Sequence, residues 1–223
     1  MFEIDNLKSL LYKSGRQQLT RRIQAIEQDI LRMGALVECS FRLSHQALCD
    51  RNLQAAEQLP LLDRQIDRFY KQIEFDCASI MTLQAPVAQD LRCLSAFMQL
   101  VRDLERIGDY AKDIGEIAIK NFPYPPHPCL SEVAFMSQQA QGMLATSLAA
   151  LAELDEVSGN RMRQLDDDVD NSYERLYQIL ASQKNVQGVV EPILLLGLAI
   201  RCLERMADHA ANIGQRVAYI VTG

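Results

Sequence analysis

Glu105 and Asp109 lie four residues apart in RDLERIGDYAKDIG (102–115), and Glu204 and Asp208 lie four apart in RCLERMADHAANIG (201–214). Residues four apart on a helix share a face, so each pair would present two carboxylates side by side. Asp113 and Asn212 extend the two rows by another turn. Asp63 and Asp67 form a third row, and Asp166 and Asp170 a fourth. Gathered carboxylates with few histidines suit hard cations: Fe, Mn, Mg or Ca, with Zn as a further candidate. The same spacing also serves plain ion pairing, because Arg102, Arg106, Arg201 and Arg205 stand within three or four residues of these acids. His209, beside Asp208, is either a ligand or polar helix surface.

Other chemistry finds little support. There is no HExxH or ExxH, no GxxxxGK[ST], no GxGxxG and no CxxC among the six cysteines, which removes zincins, P-loop enzymes, dinucleotide folds and zinc ribbons. An enzyme built on a carboxylate-held metal would need an open coordination position in a pocket, and no general base stands out beyond the acids themselves. Such an enzyme is the lesser alternative.

The elements that would carry these acids are helices. Ala, Leu, Gln, Arg and Glu dominate, Trp is absent and Thr occurs four times, a composition that favours helix over strand. Apolar spacing between the prolines predicts six helices: from about Arg16 to Arg51, Leu61 to Leu83, Val87 to Lys120, Ser131 to Leu154, a fifth ending near Ala181, and Val190 to Ile220. Pro60 and Pro86 are expected between helices, Ser131 as a cap, and Ser158-Gly159-Asn160 as the turn before the fifth helix. Pro123, Pro125, Pro126 and Pro128 make residues 121–130 a stiff linker. Met33-Gly34 interrupts the first helix and predicts a close helix approach at the glycine.

The two acidic segments align without gaps at an offset of 99, with eight of fourteen positions identical. A weaker echo pairs Asp63 with Asp166 and Asp67 with Asp170. The chain thus reads as all-α, two tandem pseudo-symmetric three-helix bundles. Residues 1–15 are expected as an N-terminal extension, 16–120 and 131–223 as the repeats. Net charge is −6, with −1 through Asn121 and −5 beyond it. That balance counts against a nucleic-acid partner. The longest apolar stretch, Ile193 to Ile200, is far short of the roughly 20 residues that span a bilayer, and the N-terminal residues do not read as a signal peptide. A cytoplasmic protein without membrane insertion is expected.

With the repeated LERxxD segments in view, the chain resembles the PhoU family of bacterial phosphate-transport regulators. DLERIGDYAKDI (103–114) and CLERMADHAANI (202–213) carry the resemblance, supported by Met33-Gly34, Gln65-Ile66-Asp67 with Glu74, and APVAQDLR (85–92). The resemblance implies two similar three-helix bundles. It implies metal motifs at Glu105/Asp109 and Glu204/Asp208, with Asp63/Asp67 and Asp166/Asp170 on neighbouring helices. It also implies a non-enzymatic role: a negative regulator that links the ATPase subunit of a phosphate ABC transporter to the sensor histidine kinase of the phosphate response when phosphate is plentiful, and often a homodimer. A PhoU-like protein serving another phosphate carrier is the alternative. VVEPILLL, which opens the sixth helix, departs from the PVAxDLR pattern of the first half.

Overall fold

The computed structural model describes the backbone of residues 2–84, 86–184 and 188–222, and their side chains outside 2–14 and 156–160. The described residues form six helices: α1 (Phe2–Cys49), α2 (Leu53–Gln84), α3 (Ala88–Asn121), α4 (Leu130–Glu153), α5 (Glu156–Ala181) and α6 (Glu191–Thr222). Among the described residues there is no strand. α1, α2 and α3 form one bundle, and α4, α5 and α6 the other.

Four local expectations are corrected. The first helix, expected from about Arg16, runs from Phe2, since no proline interrupts it and Gly15 does not break it. α2 begins at Leu53, with Pro60 inside it. Asn52 starts this helix by accepting the Ala55 N–H through Oδ1 (3.3 Å), and Ala55, Ala56 and Leu59 are buried while Pro60 is exposed. Burial of that first face outweighs the hydrogen bond that a proline forfeits. The turn before α5 falls at Leu154–Asp155 and not at residues 158–160, whose backbone lies within α5. Leu154 takes the left-handed conformation (φ 51°), and the Asp155 N–H reaches back to the Ala150 carbonyl (2.9 Å), closing α4 without a glycine. Finally, Cys129 and not Ser131 stands at the start of α4. The Cys129 N–H donates to His127 Nδ1 (3.2 Å), while the Ser131 hydroxyl donates to Glu132 (2.9 Å).

The bundles are fused side by side. α3 packs on α6 and α1 on α4, and one buried apolar cluster runs through both halves, from Ile26 and Met33 to Ile213 and Val217. α1 and α4 run antiparallel: Gly34 meets Leu148, and His45 Nδ1 lies 3.0 Å from Ser137 Oγ. As the sequence predicts, Gly34 marks a close approach; a Cβ there would stand 2.6 Å from Leu148 Cδ2. Across α3 and α6, Asp103 meets His209 at 2.8 Å, and Tyr110 stacks on His209 with ring centroids 6.0 Å apart. Tyr110 and His209 are equivalent positions in the 99-residue repeat, so an approximate twofold axis passes between their rings.

The proline-rich connection is pinned by contacts along its length. Arg51 donates to the Phe122 carbonyl and stacks over its ring at 5.0 Å. Tyr124 donates to Glu191 at the start of α6, and His127 meets Gln183 beyond α5.

Candidate functional site

Each half carries its acids along the seam between its last two helices. In the first half, Gly108 and Gly115 of α3 let α2 come close: Ile66 abuts Gly108, and a Cβ on Gly115 would lie 2.4 Å from Leu59 Cδ1. This approach sets Asp63 and Asp67 of α2 beside Glu105, Asp109 and Asp113 of α3, as the spacing predicts. The row is crossed by a cation that the sequence reading did not single out. Lys112 Nζ lies 2.9 Å from Asp63 Oδ2 and 3.7 Å from Asp109 Oδ1. Arg106 pairs with both Asp109 (3.5 Å) and Glu105 (3.7 Å), and Lys71 stands 3.9 Å from Asp67. Partial burial, helped by Asp109, Asp67 and Asp63 and opposed by Arg106, raises the Glu105 carboxyl. Burial and Glu116 raise that of Asp113, with Lys112 opposing.

The second half is built alike but charged differently. Asp166 and Asp170 of α5 face Glu204 and Asp208 of α6, and Asn212 follows half-buried one turn later. The position equivalent to Lys112 is Ala211, so no ammonium enters this row. Arg201 and Arg205 pair from their own helix with Glu204 (2.5 Å) and Asp208 (2.6 Å), yet two buried oxygens, Asp166 Oδ1 and Glu204 Oε2, have no hydrogen-bond partner. Burial first, then the charges of Asp208, Asp170, Asp167 and Glu204, push the Asp166 carboxyl up to about 6. Burial and Asp208 likewise raise Glu204, against Arg201 and Arg205, and burial and Asp208 raise Asp170.

As the side chains stand, no three His, Cys, Asp or Glu groups among the described residues close on a point where a metal ion could sit. The donor chemistry of the halves nevertheless differs. In the first, an ammonium already holds Asp63 and Asp109. In the second, orphaned oxygens and mutually raised carboxylates leave negative charge that a hard cation would neutralise. His209 turns its Nδ1 to Asp103 and its ring to Tyr110. Lys112 and the Asp103–His209 contact are the polar features that sequence reasoning missed. The replacement of Lys112 by Ala211 across the repeat was a visible signal for the first; the second needs the α3–α6 crossing.

The crowding predicts a pH signature. Asp166 holds its proton to about pH 6 when folded and loses it near 3.8 when unfolded, so between those values the folded chain binds more protons and stability falls as pH rises. Solvent screening at this half-exposed site cuts the full linkage value to about 1 kcal/mol. Asp166→Asn is expected to raise Tm by roughly 2–4 °C at pH 7.5, with the gain shrinking toward pH 4. A gain that grows as pH falls, in metal-free thermal scans, would contradict this assignment.

Two segments, residues 30–118 and 133–217, match the family model described as PhoU domain. A Synechocystis relative named "Phosphate-specific transport system accessory protein PhoU homolog" is 60% identical over 98% of this chain and 97% of its own length. A Pseudomonas aeruginosa relative of the same name is 32% identical over 93% of this chain and 86% of its own. The crystal structure of PhoU from Pseudomonas aeruginosa superposes with a TM-score of 0.84 at 30% identity, covering 91% of this chain and 98% of that one. That of the phosphate transport system regulatory protein PhoU from Streptococcus pneumoniae gives 0.84 at 26% identity, over 92% and 97%. Two repeats of one helical motif, fused about an approximate twofold axis and matched along nearly the whole chain, make this protein a member of the PhoU family.

Proposed function

We propose that the chain is a non-catalytic accessory protein of phosphate transport, which restrains phosphate uptake and starvation signalling when phosphate is plentiful. The observation that carries this reading is the 60% identity, across nearly the full length of both chains, to a relative bearing the accessory-protein name. The mechanism is that of an adaptor. Helix faces dock on the ATPase subunit of a phosphate ABC transporter and on a sensor histidine kinase, and differential contacts with their alternative conformations bias both. Among the described residues no helix is long and apolar enough to cross a membrane, so the chain would meet the transporter as a peripheral partner. Bare acids repel phosphate, so phosphate level is sensed through the partners or through a bound cation. The second-half carboxylates are the proposed seat of that cation, on the strength of their orphaned oxygens.

Alkaline phosphatase activity in phosphate-replete cells lacking the chain tests the reading. High activity, returned to low by the intact chain, is expected. Activity that stays low without the chain would point to a different phosphate carrier, to be sought by phosphate-uptake assays in the same strain.

A further inference from the structure

The α5–α6 seam continues past the acids into an apolar groove. Asp166 lies by Asp208, and Asp170 by Glu204. Arg201 then lies over Tyr173 (5.9 Å), and Tyr173 stacks on Tyr177 (6.3 Å). Beyond them a groove of about 470 Å³ is lined by Tyr173, Tyr177, Leu180, Ile193, Leu194 and Leu198. Leu194 is 63% exposed, Leu198 57% and Tyr177 50%. From Asp166 to Leu180 the seam runs about 21 Å at 1.5 Å per residue. The repeat makes this side exceptional. At the equivalent places the first half has Ser95 for Leu194, Gln99 for Leu198 and Glu74 for Tyr177, with Glu74 accepting the Tyr70 hydroxyl (2.8 Å) and Lys112 held against Asp63. Both seams keep an excess of acid: Lys112 bridges α2 and α3 in the first, whereas in the second Arg201 and Arg205 pair within α6 and leave Asp166 Oδ1 and Glu204 Oε2 unpartnered, beside an apolar far end.

We propose that the α5–α6 seam is a docking groove for a helical segment of another protein, with apolar side chains at one end and Lys or Arg two to three turns away. Exposed leucines and tyrosines supply the apolar anchor, and the acids supply the charge complement that sets orientation. A second copy of this chain fits poorly. With the twofold axis along the seam, self-pairing sets acid on acid; with the axis across its middle, acid on leucine; with the axis across its apolar end, leucine meets leucine but the acids of both copies are left without a partner. The net charge of −5 beyond Asn121 disfavours an anionic membrane surface or nucleic acid.

The test uses the full chain in EDTA and an 18-residue capped helical peptide, with three leucines a turn apart in one half and three lysines in the other. Calorimetry should give micromolar binding. Peptides with Lys changed to Glu, or Leu to Ser, should bind at least about tenfold more weakly, as should the variants Leu198→Lys and Asp166→Asn with Asp170→Asn. Both alter exposed or half-exposed side chains, and circular dichroism checks that they fold. Glu105→Gln with Asp109→Asn, on the other seam, should bind as the parent does. Absence of peptide binding, undiminished binding to Leu198→Lys, or an equal loss in the first-seam variant overturns the proposal. So does light scattering that shows a dimer split by Leu198→Lys without peptide binding, which would make the groove a self-interface.

Discussion

Glu204→Gln combined with Asp208→Asn is expected to lower the affinity of the chain for Mn²⁺ by about a hundredfold or more, the scale on which metal sites respond to lost ligands and their supports. Glu105→Gln combined with Asp109→Asn should leave that affinity nearly unchanged. The contrast follows from one position. In the first half Lys112 lies 2.9 Å from Asp63 and 3.7 Å from Asp109, so an incoming cation would have to displace an ammonium and bear its repulsion. In the second half Ala211 stands there, and Asp166 Oδ1 and Glu204 Oε2 are left without partners. Ala211 is itself buried, so Ala211→Lys, shown by circular dichroism to fold and set against Ala211→Met as the control for bulk, should reproduce the loss seen on removing the carboxylates. Titration of EDTA-stripped protein measures all four variants. Equal losses from the two halves would defeat this account.

Lys112→Ala should act in the opposite sense. It strips the counter-charge from Asp63, whose side chain is only 14% exposed. Removing one partner of a fully buried pair costs about 3–5 kcal/mol; at the partial exposure found here roughly 1–2 kcal/mol is appropriate, or a fall of about 3–6 °C in Tm. The variant should then gain a Mn²⁺ response that the parent's first half lacks: millimolar Mn²⁺ restores the lost stability. Lys112→Met keeps most of the aliphatic stem and separates loss of charge from loss of packing. If Lys112→Ala melts at the parent temperature, or if Mn²⁺ restores nothing, the first-half acids are ordinary helix surface.

Much of this arrangement can be read along the chain. Proline placement and apolar period mark the helices, and the recurrence of LERxxD at an offset of 99 announces two copies of one motif. Local energetics decide where that reading slips. Pro60 is a breaker by propensity, but an exposed proline on a helix whose opposite face buries Ala55, Ala56 and Leu59 is tolerated. Leu154 carries no sequence signal for a left-handed turn, while Gly159, which does, falls inside α5. The acid rows are legible because they repeat at helical spacing. Their different electrical states are not, because Lys112 reaches Asp63 across 49 residues of sequence and the orphaned oxygens exist only once α5 and α6 are packed.

The approximate twofold axis between Tyr110 and His209 has a consequence for how such a chain arises. A single three-helix unit with this α1/α4 and α3/α6 surface would pair with an identical unit about the same axis. In that pair every substitution appears twice, so a lysine that quiets one acidic row quiets both, and a leucine that opens one groove opens both. Joining the units through residues 121–130 removes the constraint. One row can then hold Lys112 while the other holds Ala211, and Ser95 and Gln99 can persist opposite Leu194 and Leu198. Covalent fusion thus lets the two halves diverge in charge and in exposed apolar surface while they keep one packing arrangement.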